Sequence, residues 1–171
     1  MMTKDTAERI KRLKKEVASL GLNPKDYCYD FGALNAYRIE QTKLGSYAYI
    51  LINDKGYGKE AKVDLADFYT LRLYSYRWHR SNSDPSKDYP HTNIPDSTGK
   101  KFNLMLHTLI MGTVPGKVID HNDGDHYNAS RSNLNHVTTA QNNQNRHSAS
   151  ALYKIYNRKK DVTLTYVPLF N

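Results

Sequence analysis

The chain has 171 residues, enough for one ordinary domain or a small core with appended arms. Lys and Arg outnumber Asp and Glu by 25 to 17, and the resulting net charge of +8 favours a polyanionic partner without choosing among DNA, RNA and anionic lipid. The single cysteine, Cys28, excludes an internal disulfide and a multi-cysteine zinc site, and no apolar run approaches the roughly 20 residues that span a bilayer.

The first residues are charged and do not form the apolar stretch of a secretory signal, so the expected setting is a reducing cytoplasm with no membrane partner. Residues 3–20 are expected to be helical, with Ile10, Leu13, Val17 and Leu20 on one face and Gly21 as the stop. Lys11, Arg12, Lys14 and Lys15 occupy the other faces, either as a solvated surface or as a DNA-contacting arm. Residues 46–52 suit a strand, and Asn53 to Gly56 a turn. Asp64 to Leu73 is expected as a short helix with Leu65, Phe68 and Leu71 or Tyr69 facing inward. Trp78 is expected in a following strand as a core anchor, and residues 81–90 as a polar loop. A turn at Pro95 to Gly99 joins two short strands, and Leu104 to Met111 reads as a helix closed by Gly112. The 14 tyrosines suit half-buried strand positions or a wet interface.

From residue 118 the texture changes. Val118-Ile119 reads as a strand, Asp120 to Asn135 as a loop rich in Asp, Asn, Gly and Ser, and Val137 as a second strand. Thr138-Thr139 then caps a polar helix through about Arg146. Asp120 offers a carboxylate and Asn142 an amide oxygen, both hard donors suited to Mg²⁺ or Mn²⁺. His121, next along the strand, points to the other side of the backbone and is a candidate base. Residues 148–160 read as a basic helix and 161–170 as a strand.

The elements Asp120-His121, Asp123-Gly124-Asp125, Asn133-Leu134, Val137-Thr138 and Asn142, in that order and spacing, resemble the HNH (His-Me finger) endonucleases of the phage and homing-endonuclease type. Leu106-His107 followed by Leu109-Ile110-Met111 resembles the helix that precedes the HNH core, and the resemblance covers roughly residues 45–147. It implies an α+β fold: a small mixed sheet with short helices, then a ββα-metal finger.

It also implies hydrolysis of DNA phosphodiester bonds to 5′-phosphate and 3′-hydroxyl ends. His121 is then the general base, Asp120 and Asn142 hold one divalent ion, and Asn133 fixes the loop and orients His121. His126 and His136 are expected as solvent or strand residues, and His107 either touches phosphate or is a buried helix histidine bonded to the finger. The family's arginine after Leu-His is Thr108 here, and Asn128-Ala129-Ser130 stands where it carries Asp-Asn-Arg; Arg131 is the candidate substitute. Arg131, Arg146, Lys154, Arg158, Lys159 and Lys160 are candidate DNA contacts, although the last four also fit a packed tail with solvated lysines.

The expected organisation is an N-terminal helical arm over 1–44, a strand-rich region over 45–103, the nuclease core over 104–147 and a basic helix and strand over 148–171. The working unit is a monomer or homodimer. A DNA- or RNA-binding module that keeps the fold without cutting is the alternative.

Overall fold

The computed structural model describes residues 3–54 and 56–144. The first helix, α1 (Lys4–Ser19), is capped by Thr3, whose hydroxyl accepts from the Thr6 amide at 3.2 Å. It is no free arm. Leu13 and Val17 are fully buried with Tyr29, Ala36 and Leu51, and Ile10 and Leu20 pack at the margin. Lys11, Arg12, Lys14 and Lys15 stay exposed.

Under this helix lies a three-stranded antiparallel sheet, β1 (Tyr37–Thr42), β2 (Gly45–Asp54) and β3 (Tyr57–Asp64). The strand β2 alternates as its sequence suggests. Ala48, Ile50 and Ile52 face the main core, while Leu51 faces α1. The expected boundary at residue 44 therefore falls inside the β1–β2 hairpin. β1 gives no alternation to read, because only Tyr37 of its six residues is buried. Beyond the reach of α1 the outer face is charged: Arg38 donates to Glu60 at 2.7 and 2.8 Å and lies 4.0 Å from the Tyr49 ring centroid.

The helix α2 (Leu65–Thr70) is shorter than expected and is followed by a 3-10 turn at Leu73–Ser75. Phe68 is buried, whereas Tyr69 is largely exposed. Trp78 is fully buried but stands just before the strand β4 (His79–Arg80) rather than in it. Its ring N–H donates to the Leu73 carbonyl at 2.8 Å. Asn35, also buried, accepts from the Trp78 amide and donates to the carbonyls of Leu51 and Trp78. The Asn35 amide and the Trp78 ring N–H are thus each satisfied by another chain segment, which fixes the segments' relative positions.

A second antiparallel sheet runs β4, β5 (Pro90–Pro95) and β6 (Lys101–Met105), and leads into α3 (Leu106–Met111). Leu104 and Met105 belong to β6, not to the helix, because they pair with Thr92 and His91. The third sheet pairs β7 (Val118–His121) with β8 (Leu134–Val137). One core joins the first and third sheets to the segments that flank the second: Ile50, Val63, Phe68 and Trp78 pack in the same cluster as Leu106, Ile110 and Leu134. Burial of each such aliphatic side chain contributes roughly 1.5–3 kcal/mol. The fold is α+β as expected, but its sheets are antiparallel rather than mixed. Parallel pairing occurs as an isolated bridge, Lys62 to Asn128. Among the described residues no helix is long and apolar enough to cross a membrane.

Candidate functional site

β7 and β8 form a short hairpin in which Asp120 faces Asn135 and His121 faces Leu134. Alternation sends the Asp120 and His121 side chains to opposite sides. His121 is buried at 5% exposure and Asp120 is half-buried. The long connection between the strands is ordered by its own polar groups. The Asn133 amide oxygen accepts from the Asp123 amide at 3.1 Å. Its NH₂ donates to the Asp123 carboxylate and to the Asn128 carbonyl, both at 2.8 Å. Both ends of the amide are used, which is the most economical way to close such a loop. The Gly124 amide donates to the His121 carbonyl at 2.9 Å from a φ of +74°, where glycine carries no Cβ penalty.

The same connection is tied to β3 and α2. The Lys62 amide donates to the Tyr127 carbonyl and the Ala129 amide to the Lys62 carbonyl, each at 2.8 Å. Lys59 pairs with Asp125 at 2.8 Å. Burial pulls the Asp125 carboxyl up, but hydrogen bonds from Lys59 and the Tyr127 amide outweigh it and leave it below the usual carboxylate range. Arg131 grips Asp67 with Nε at 2.8 and 3.1 Å and Nη2 at 2.9 Å, and its amide donates to Asp64. The guanidinium offered for phosphate contact is therefore engaged inside the protein. Ala129 and Ser130 are buried, with the Ala129 amide bonded to β3, so the position of the family's arginine is an enclosed one here.

Around His121 stand three more rings, from three different elements. His107, on α3, meets it edge-on at 5.2 Å between centroids and 88° between planes. His126 lies 5.5 Å away and Tyr89 5.9 Å. Tyr89 stacks on His126 at 3.8 Å and 13°. The His126 Nδ1 is 3.0 Å from the Asp88 carbonyl. A carbonyl only accepts, so this nitrogen carries the proton. Asp88 is itself buried. Its carboxylate accepts from the Ser81 and Asn82 amides and the Tyr127 hydroxyl, with Arg80 at 3.4 Å.

Burial, reinforced by the neighbouring imidazoles, pushes His121 down to about 3 and His107 down to about 4. Both rings are neutral at physiological pH. His107 Nδ1 and His121 Nε2 are buried without a hydrogen-bond partner among the described residues. His107 is thus a packed helix histidine that meets His121 of β7 through its ring, while its Nδ1 makes no bond among the described residues.

Thr138 starts the helical residues 139–144. Its hydroxyl accepts from the Gln141 amide at 3.3 Å, and the Gln141 side chain accepts from the Thr138 amide at 2.9 Å. This reciprocal pair is a capping box. Asn142 is half-buried on this helix, and its amide makes the bond to the Thr138 carbonyl. Among the described residues no three His, Cys, Asp or Glu side chains gather to hold a metal. A carboxylate plus an amide, as in Asp120 and Asn142, is a different and harder donor set. Arg146, Lys154, Arg158, Lys159 and Lys160, with the expected tail helix and strand, lie outside the described residues.

The sequence placed Asp88 and Tyr89 in an undistinguished polar loop and His126 in solvent or a strand. His126 is instead half-buried within the ring cluster. No periodicity marks these three, because their partners lie in other segments of the chain. His136 is a strand residue, as expected, whose Nε2 donates to the Gly112 carbonyl at 3.2 Å.

Comparison with known proteins returns no match among family models, curated proteins or solved structures.

Proposed function

We propose that this protein is a metal-dependent DNA endonuclease with an HNH-type ββα finger, in which His121 accepts the proton of the attacking water. The observation that carries the reading is the state of His121. It is a neutral imidazole on β7 adjoining the Asp120 carboxylate, and the loop that follows it is closed by both ends of Asn133. A neutral ring is the proton-accepting form. An anionic phosphate brought against it raises its basicity, because the opposite charge favours the imidazolium.

Asp120 and Asn142 are the residues that would hold the ion, and their oxygen donors fit Mg²⁺ or Mn²⁺ better than a softer metal. When bound, such an ion supplies positive charge for the phosphate and the leaving oxygen. In the reaction water oxygen bonds to phosphorus as the bond from phosphorus to the 3′ oxygen breaks. One water proton passes to His121, and the 3′ oxygen is protonated from solvent.

The depth of His121 favours a second reading. A ring at 5% exposure with an unpartnered Nε2 also suits a DNA-binding module that packs the histidine and does not cut. Supercoiled plasmid, incubated with Mg²⁺ or Mn²⁺ and with a chelator, separates the two. The nuclease reading expects nicked or linear product that the chelator abolishes. His121→Ala is expected to lose about 10²–10⁴-fold in rate while retaining DNA affinity and a cooperative melt. Retardation of DNA without cleavage under either metal would select the binding module.

A further inference from the structure

We infer that the tip of the β5–β6 hairpin is a base-reading element that enters the major groove of duplex DNA. The inference rests on the DNA-binding part of the proposed function, not on catalysis. β4 pairs with His91 and Pro90, so among the described residues β5 from Thr92 onward has β6 alone as strand partner. Residues 92–95 and 101–104 are therefore a two-stranded ribbon, and the major groove, about 12 Å wide, admits such a ribbon.

The two faces of the ribbon differ. Thr92 and Ile94 oppose Leu104 and Phe102 on the face that runs down to the core, where Thr92 is buried. On the other face Asn93 sits directly opposite Asn103, with Lys101 beside them. All three are exposed, and neither asparagine side chain makes a hydrogen bond among the described residues. An asparagine amide pairs with the N6 and N7 edge of adenine through two hydrogen bonds. Two such amides abreast, exposed and unbonded among the described residues, suit base edges better than phosphates.

The tip carries more positive than negative charge. Lys100, Lys101 and Asp96 are all exposed. Asp96 accepts through Oδ1 from the Thr98 amide and hydroxyl and from the Lys100 amide at 2.8, 2.6 and 3.0 Å, which ties its carboxylate to the turn. Phosphates at the tip thus meet two lysines against one carboxylate. RNA duplexes are excluded as targets by their deep, narrow major groove.

The ribbon is continuous with the site, since β6 ends at Met105 and α3 places His107 two residues later.

The test selects bound duplexes from a randomised DNA pool, using the full chain without divalent metal, and maps cleavage ends in parallel with Mg²⁺. Wild type is expected to enrich adenine at one or two adjacent positions, and replacing those adenines with 7-deazaadenine is expected to weaken binding about tenfold. Asn93→Ala with Asn103→Ala is expected to erase that enrichment while retaining affinity for random DNA. Lys100→Ala with Lys101→Ala is expected to lower affinity for all sequences and keep the preference. Enrichment unchanged in the double asparagine variant, or no enrichment by wild type, overturns the inference. Enrichment without cleavage leaves the ribbon standing and removes the nuclease reading.

Discussion

The sheet β1–β3 and the connection between β7 and β8 lie side by side, joined by the backbone bonds of Lys62, yet they hold their shapes by different means. In the sheet Ala48, Ile50, Ile52, Ala61 and Val63 are buried to within about 1% of complete exclusion from solvent. Apolar burial is non-directional, and a neighbour of similar volume serves nearly as well. In the connection the fixed groups are Asn133, Asp123, Asn128 and Gly124, each bonded to a particular atom. Hydrogen bonds tolerate no such exchange, since a lost partner leaves a buried group unsatisfied. The lesson is that permissive apolar burial holds the supporting sheet, whereas directional hydrogen bonds hold the connection that follows His121.

The contrast is broken most severely at Asp88, a buried carboxylate serving two amides, a tyrosine hydroxyl and Arg80. Asp88→Ala is expected to destabilise the protein by about 3–5 kcal/mol in denaturant titration, because Arg80 and Tyr127 lose a buried partner. A loss under about 1 kcal/mol would mean that this anchor is dispensable.

Acid is the next lever. The folded values of about 4 for His107 and about 3 for His121 lie below the unfolded value of about 6.5. Below that point the unfolded chain takes up protons that the folded chain refuses. Their contribution to stability is therefore complete above about pH 6.5 and is lost as pH falls toward 4. Between pH 7 and 5 the loss is expected to be about 2 kcal/mol for each ring. Carboxylates such as Asp125, held low, lose their contribution only at more acid pH, so this window isolates the imidazoles. His107→Phe is expected to flatten the melting temperature against pH between 7 and 5. An unchanged slope would place the acid sensitivity elsewhere.

Within the connection, Asn133→Ala is expected to cost about 2 kcal/mol and to lower cutting and melting temperature together. In the sheet, Ile52→Val is expected to cost only about 1 kcal/mol and to leave DNA cutting unchanged per folded molecule. If the sheet substitution proved the more harmful to activity, the division of labour between the two regions would be wrong. The smallest effect on DNA binding is expected at Arg131, whose side chain is about half exposed while its partner Asp67 is buried. Arg131→Ala should cost about 1–3 kcal/mol, because it takes the charged donor away from the buried Asp67 carboxylate. Because its guanidinium is engaged by Asp67, its removal should leave DNA affinity unchanged in a retardation assay, whereas a tenfold loss would show that the pair opens onto phosphate.

Much of the architecture was legible where a segment's own chemistry decides it. Helical spacing at Ile10, Leu13, Val17 and Leu20 located α1 and its buried face, and alternation located β2. The order strand, polar connection, strand and capped helix was legible from residue 118 onward, as was the loop-closing use of Asn133. β1 was invisible because only Tyr37 of its six residues is buried, so neither face carries an apolar stripe that alternation could reveal. The true start of α3 was hidden because Leu104 and Met105 read equally well as helix or strand until their partners Thr92 and His91 are known.

The sequence by itself determined the α+β class, the basic charge and the candidate trio Asp120, His121 and Asn142. Those follow from composition, from period and from short-range spacing, all of which reside in contiguous residues. Only the tertiary structure decided that Tyr89, His107 and His126 surround His121, that Asp88 holds His126 and that Arg131 is bound to Asp67. The partners of His107 and Arg131 lie 14 and 64 residues away in the chain. At such separations contact is set by how the sheets pack and by which buried polar groups must find partners, a requirement of the whole core that no local pattern records.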